Sequence, residues 1–362
     1  MMKLMLKRAD ALAALNRVVG VIKPNPNVAI LNNVMLEATS QFVHWTGTDM
    51  SLEATARCEA VVTDTGCVTV NADKLRQIAT NATGDLSLSL EGDRLIVKSG
   101  RSRFSLPVLP GIALPIMKFE PELSFSVSGT LLNDMLSRTG WAAASTGTAE
   151  HLKGVFLHAT ATELRTGAIS GREASYRSTM IPEGAAGLSG VIIPTKAVVE
   201  LQKLLSSAER DVVVSVRNGK TIRIADGESS VTAKTIEGQF PDYERTYPKE
   251  NPNVLKVNVE AARQAVKRVM VAAEDNARSI VLEISDGLMT VSARGESEAS
   301  DEVEIGYVGP AVRIGFNGAA LLAVLSQLDE VAVVRFSTHD KPTIWQTDGD
   351  EDGLINLMTV RV

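Results

Sequence analysis

The sequence predicts an α+β chain that uses one unit three times. Three observations carry that prediction: a strand running into a helix recurs at a period of about 120 residues, a turn-prone hairpin follows each copy, and apolar and polar residues alternate between the helices. The recurring segment is Val68 to Ala79, Val191 to Leu205 and Val312 to Leu328, with Val70, Ile193 and Phe316 in register. The hairpins turn at Glu91-Gly92-Asp93, Asn218-Gly219-Lys220 and His339-Asp340-Lys341. A further helix opens each unit, around Asp10 to Val19, Leu131 to Ala144 and Glu260 to Ala273, so a unit reads as strand, helix, several strands, helix and hairpin pair.

Alternation is clearest in Leu86-Ser87-Leu88-Ser89-Leu90, Val213 to Val216 and Val281 to Val291, which predicts sheet with one face covered. Leu12, Leu15, Val18 and Val19 form an aliphatic stripe at helical spacing, as do Val198, Val199, Leu201 and Leu204. Each unit is therefore expected to pack its helices on one side of antiparallel sheet. Prolines mark linkers at 110–121 and 248–252, and we expect domains at 1–122, 123–250 and 251–362.

At 362 residues the chain has room for three such cores, which must be aliphatic because aromatics make up 4% of it. No apolar run is long enough for a membrane span, and Met1-Met2-Lys3 does not open a secretory leader, so a cytoplasmic protein is expected. Cys58 and Cys67 then read as buried free thiols, with a disulfide as the alternative.

Catalytic and metal signatures are missing from the sequence. The four histidines, His44, His151, His158 and His339, lack the spacing of a zinc site, and neither a phosphate-binding loop nor a nucleophile elbow occurs. Asp348 to Gly353 lacks the ligand alternation of a calcium loop and reads as a solvated hairpin tip. Glu274 and Asp275 read as the polar end of a helix. No cofactor, metal or enzymatic activity is expected.

The net charge of −6 argues against nucleic acid as a partner of the whole surface. The helices nevertheless gather Lys7, Arg8, Arg17 and Lys23, then Lys74 and Arg76, Arg138, Lys196 and Lys203, and finally Arg263, Lys267 and Arg268. Helices sharing one surface would make it locally basic, able to hold phosphates without reading bases. Ordinary solvated helix faces are the alternative.

Glu237-Gly238-Gln239-Phe240-Pro241-Asp242-Tyr243-Glu244-Arg245, followed by Pro248, resembles a segment of the bacterial DNA polymerase III β subunit, the replication sliding clamp family. Further matches fall in order along the chain at Ile30 to Glu37, Thr48-Asp49-Met50, Ser99 to Leu106, Gly154-Val155, Glu163-Leu164-Arg165, Met358 and Arg361. The resemblance covers essentially the whole sequence. It implies three clamp domains per chain, helices inside and antiparallel sheets outside, closing head to tail as a dimeric ring around duplex DNA. It also implies a nucleoid-associated, non-catalytic tether for the polymerase catalytic subunit, opened by an ATP-dependent clamp loader.

The resemblance implies three sets of residues. Lys23, Lys74, Arg76, Arg138, Lys196, Lys203, Arg263, Lys267 and Arg268 would face DNA, and only Lys196 aligns with a basic family position. Arg101, Arg103, Phe104 and Leu106 would meet Val271, Ala272, Glu302 and Glu304 across the dimer. A groove for short apolar motifs of partner proteins would be lined by Leu152, Ile169, Gly171, Arg172, Glu173, Ala174, Pro241, Arg245, Thr246 and Met358.

The groove departs from the family pattern. Ala174 stands where the family has leucine, Glu173 where it has arginine, and Thr246 where an aliphatic residue is common; the stretch from Asn356 to Val362 replaces the usual ending. Fewer buried methylenes weaken an apolar motif by roughly 0.8 kcal/mol each. Two alternatives to the housekeeping clamp follow: an additional or mobile-element clamp with its own polymerase or loader, and a ring-shaped interaction protein that does not encircle DNA. Glu150 and His151, where the family often has aromatics, motivate the last.

Overall fold

The computed structural model describes residues 2–206, 208, 210–273, 279–294 and 297–361. Each expected unit proves to be doubled: strand, helix and a three-stranded antiparallel meander, then the same again. Among the described residues the α-helices are α1 (Arg8–Val19), α2 (Ala72–Asn81), α3 (Gly129–Gly140), α4 (Thr195–Leu205), α5 (Val259–Val269) and α6 (Gly318–Leu325). Sequence reading ended each unit in a hairpin pair. A further strand follows each hairpin, Ser102–Pro110, Ser229–Lys234 and Gly353–Leu357, because a second turn folds the chain back once more.

The strand-into-helix junctions have a local cause. Asn71, Asn258 and Asn317 sit at the strand ends, and each side-chain oxygen accepts from a first-turn amide, that of Lys74, Ala261 and Ala320 respectively, at 2.9–3.0 Å. Such a cap contributes about 1 kcal/mol and fixes where extended backbone turns helical. The register residues Val70, Ile193 and Phe316 are all buried. At the middle hairpin Asn218 and Gly219 both adopt positive φ, 52° and 63°, a conformation these residue types tolerate best. The expected strand Val281 to Val291 is interrupted at Asp286-Gly287 and forms a hairpin, with Ile284 paired to Met289.

The chain gathers into two compact units, residues 1–134 with 182–237, and residues 135–181 with 238–362. The first contains a 13-stranded antiparallel sheet in which Ser229–Lys234 pairs with Leu52–Glu59, joining meanders from two successive repeats. In the second, Glu173–Met180 pairs with Gly353–Leu357 by the same logic. The core of the last repeat collects around Tyr307, Phe316, Phe336 and Trp345 and is mostly aliphatic elsewhere, with helix residues Ala265, Val266, Leu321 and Val324 packed on the sheet.

Cys58 and Cys67 are both free, but neither is buried: Cys58 is partly covered and Cys67 is exposed. Cys67 lies at the exposed start of the strand Gly66–Asn71, ahead of the buried run Val68 to Val70. Burial lifts the Cys58 thiol, against a hydrogen bond from the Trp45 indole at 3.3 Å. Asp348 to Gly353 is a hairpin connection with anchored acids, Asp348 to Lys256 at 2.6 Å and Asp350 to Arg177. Glu274 and Asp275 lie outside the described residues.

Candidate nucleic-acid interface, junction edges and partner groove

The basic helix residues divide by what holds them. Arg8 donates to the carbonyls of Ala79 at 3.0 Å and Thr80 at 2.6 Å, closing the end of α2, and Arg17 donates to Ser229 Oγ at 2.6 Å. Both are structural joints. Of the residues expected to face DNA, Arg76 pairs with Asp73 at 3.2 Å, Lys203 with Glu200 at 2.8 Å, Arg263 with Glu260 at 2.6 Å and Arg268 with Asp301 at 2.5 Å. Lys196 pairs with Asp49 and also reaches Ser51 Oγ at 2.8 Å. Arg138 bridges the end of α6, to the Gln327 carbonyl and to Asp329, each at 2.7 Å. Lys23, Lys74 and Lys267 are exposed, and no ion pair is formed by them among the described residues. Exposed pairs contribute little and exchange readily, so these carboxylates hold the cations in place without locking them.

Within the first unit α1 packs beside α2 and touches α4. The α1–α4 approach is close: a side-chain carbon on Gly20 would fall 2.2 Å from Glu200 Oε2, so a larger residue there has to push the Glu200 carboxylate aside. In the second unit α5 packs beside α6.

The segments expected to form a dimer contact are half-paired strands. Ser102–Pro107 pairs with Arg94–Ser99 on one side, and only Val108–Pro110 pairs on the other. Glu298–Glu304 pairs with Leu288–Arg294 on one side, and only Ile305 and Gly306 pair on the other. Arg101, Arg103, Glu302 and Glu304 are exposed. Phe104 is 38% exposed and Val271 85%, whereas Leu106 and Ala272 turn into the core.

The residues expected to line the groove come from four segments of the second unit. The turn Ile169 to Ala174 is closed by Ile169 pairing with Ala174 and by Ser170 bonded to Glu173. Met358 donates its amide to the Arg172 carbonyl at 2.9 Å, and Ala174 pairs with Asn356. The Asn356 amide in turn donates to the Thr246 carbonyl. Arg245 is exposed and paired with Asp242 at 2.8 Å. Leu152 is half-buried in a separate one-turn segment, its carbonyl accepting from Ala144. Pro241 follows Phe240, whose ring stacks on Phe156 at 4.9 Å.

Sequence reasoning missed the aromatic support beneath this turn. His158 lies 2.8 Å from the Tyr243 hydroxyl, and Arg165 binds Glu163 and Glu244. Burial pushes the Tyr243 hydroxyl up to about 12 and, with Arg165, pushes His158 down, so both are neutral near pH 7 and serve as packing with a hydrogen bond. Among the described residues no group of three or more His, Cys, Asp or Glu could hold a metal ion, and no helix is long and apolar enough to cross a membrane.

A thrice-repeated strand–helix–meander scaffold with basic helices and half-paired edge strands is the architecture of a clamp. Family models for the N-terminal, central and C-terminal domains of the DNA polymerase III beta subunit match residues 2–118, 126–242 and 244–361. The chain is 33% identical to the beta sliding clamp of Caulobacter vibrioides over 373 residues, covering 100% of both, and 30% identical to that of Pseudomonas aeruginosa, covering 99% of both. Among solved structures it resembles the Bartonella birtlesii clamp bound to griselimycin, with a TM-score of 0.96 at 31% identity, and the Caulobacter crescentus clamp, with 0.92 at 32%; each covers 100% of both chains. The chain belongs to the DNA polymerase III beta subunit family.

Proposed function

We propose that this chain is a DNA sliding clamp whose domains span 1–122, 123–250 and 251–362, and that two copies join head to tail around duplex DNA. One observation carries the closure. Every meander ends in a closing strand, and both junctions between successive repeats pair the first closing strand of one repeat with the second closing strand of the next: Leu52–Glu59 with Ser229–Lys234, and Glu173–Met180 with Gly353–Leu357. That rule leaves Glu298–Gly306 without its partner at one end of the chain and Ser102–Pro110 at the other. Pairing them between copies repeats a junction the chain already makes twice, and it removes two exposed edges. The charges agree, with Arg101 and Arg103 beside one edge and Glu302 and Glu304 on the other.

Topology then does what affinity does not have to do. A closed ring leaves a duplex only by opening or at an end, so the helix cations need only weak, base-independent phosphate contacts, which permit sliding. The partners that follow are duplex DNA, a second copy, a polymerase catalytic subunit, an ATP-dependent loader and other proteins with a short clamp-binding motif, in the cytoplasm at the nucleoid. Retention on nicked circular DNA, lost when the circle is cut, tests encirclement; equal retention on circle and line overturns it in favour of a non-encircling protein. The small, polar groove residues Ala174 and Thr246 favour a second reading beside this one, an additional clamp with its own partner set.

A further inference from the structure

We propose that Asn356 makes the partner groove of this chain selective for a motif carrying a hydrogen-bond donor, an amide or hydroxyl side chain, where an apolar motif would bury an aliphatic one. The proposal rests on the clamp reading above, which assigns the groove to Ala174, Thr246 and Met358.

The backbone of Asn356 is fixed between two neighbours, pairing with Ala174 on one side and Ile344 on the other. Its chain neighbours Ile355 and Leu357 point into the core of the last repeat. Strand alternation therefore sends the Asn356 side chain to the opposite face, the one it shares with Ala174. Asn356 is 2% exposed there, and so is Ala174. The amide nitrogen is used, donating to the Thr246 carbonyl. The amide oxygen is buried with no hydrogen-bond partner.

The nearby hydroxyls are committed elsewhere. Thr246 Oγ1 donates to the Tyr243 carbonyl at 2.6 Å, Ser170 Oγ is bound to Glu173, and the Tyr247 hydroxyl donates to the Leu354 carbonyl at 3.2 Å. The unmet acceptor is thus set by the arrangement of its surroundings. Buried acceptors in folded proteins are rarely left so, and each carries a desolvation cost that an arriving donor relieves. An apolar group placed against it leaves the cost standing. A site built to hydrogen-bond discriminates strongly against an isostere that lacks the polar group. The small Ala174 beside it supplies little apolar wall to compensate. A peptide donor has to open the Asn356–Thr246 contact to reach the oxygen.

The test is a set of fluorescent hexapeptides of leucine and phenylalanine with a charged tail, in which each leucine is replaced in turn by its isostere asparagine. Anisotropy titrations are run on the full-length protein and on Asn356→Val, with a thermal melt to establish that the variant folds. The expected result is that one asparagine-containing peptide binds the natural chain about tenfold more tightly than its all-leucine parent, the worth of one buried hydrogen bond, and that the variant reverses the order. If the variant does not fold, the ranking on the natural chain decides alone. All-leucine preferred by the natural chain overturns the donor preference and leaves the groove in place. An asparagine preference that persists undiminished in a folded variant removes Asn356 as its cause. No binding of any peptide to either protein overturns the groove assignment, and the proposal with it.

Discussion

Lys196 is bound to Asp49, a residue of the first repeat held in place by its own turn. Asp49 Oδ1 accepts from the amides of Ser51 at 3.0 Å and Leu52 at 2.8 Å, while Oδ2 takes the ammonium. Burial pushes this carboxyl up, but the hydrogen bonds from Lys196, Ser51 and Leu52 outweigh it and hold it below its ordinary value. The one basic residue aligned with a basic family position is therefore also a strut. Asp49→Asn keeps the turn acceptor and frees the ammonium. It is expected to lengthen residence on nicked circular DNA and steepen its salt dependence by up to about one phosphate contact. Lys196→Met should shorten residence. Equal residence for all three proteins would falsify a phosphate role for Lys196.

The same pair sets a pH signature. The folded pKa of Asp49 lies below its unfolded value of 3.8, so its contribution is complete above that value and lost as pH falls through the folded one. Thermal melts from pH 5 down to pH 2 should show a shallower decline in Asp49→Asn than in the natural chain.

Much of this architecture was legible in the sequence. Strand-into-helix junctions read clearly because Val70, Ile193 and Phe316 fall in register at a fixed period, whereas the asparagine caps at 71, 258 and 317 went unread. The doubling inside each repeat was not legible, since closing strands are reached through turns, such as those at Gly100 and Gly227, that look like ordinary loops. Charge pairing was not legible for a physical reason. A list of lysines and arginines does not show which carboxylate stands three residues or a whole repeat away, and Asp73, Glu200, Glu260, Asp49, Asp301 and Asp329 each hold one of the cations. Asn356 escaped notice as a site residue because its significance lies in an absent partner, which only the surrounding contacts reveal.

Glu53 carries the opposite titration. It is 3% exposed, and its Oε2 accepts the Met117 amide at 2.7 Å, while Arg223 stands 3.9 Å away and packs over the Phe119 ring at 4.5 Å. Burial raises this carboxyl above 4.5 despite the Met117 amide and Arg223. The folded state then binds the extra proton, so Glu53's contribution to stability falls as pH rises from 4.5 through the folded pKa. Glu53→Gln should flatten the dependence of Tm on pH in that window. An unchanged slope would place the titrating group elsewhere.

Met358 is 42% exposed beside the Arg172 carbonyl that its own amide binds. A peptide settling in the groove covers it. Met358→Ala removes about one to two newly buried methylene equivalents at roughly 0.8 kcal/mol each, so peptide Kd should rise about fourfold to fifteenfold in anisotropy titrations. Unaltered affinity would move the groove away from this residue.

The head-to-tail edges make the sharpest demand. Glu302→Lys with Glu304→Lys places like charge against Arg101 and Arg103 of a second copy, and Arg101→Glu with Arg103→Glu does the same from the other side. Each double variant alone should dissociate to monomer at micromolar concentration, since like-charge juxtaposition weakens association more than tenfold. Mixed in equal amounts they should recover the dimer. One junction of the mixed ring then sets lysine against glutamate, and the other retains the natural arginine-to-glutamate pairing. Light scattering on the two variants and their mixture reads all three states. A symmetric contact of one edge with itself would leave one double variant unaffected, because its own edge is not changed. Loss in both variants with recovery only on mixing is therefore the signature of two unlike edges meeting.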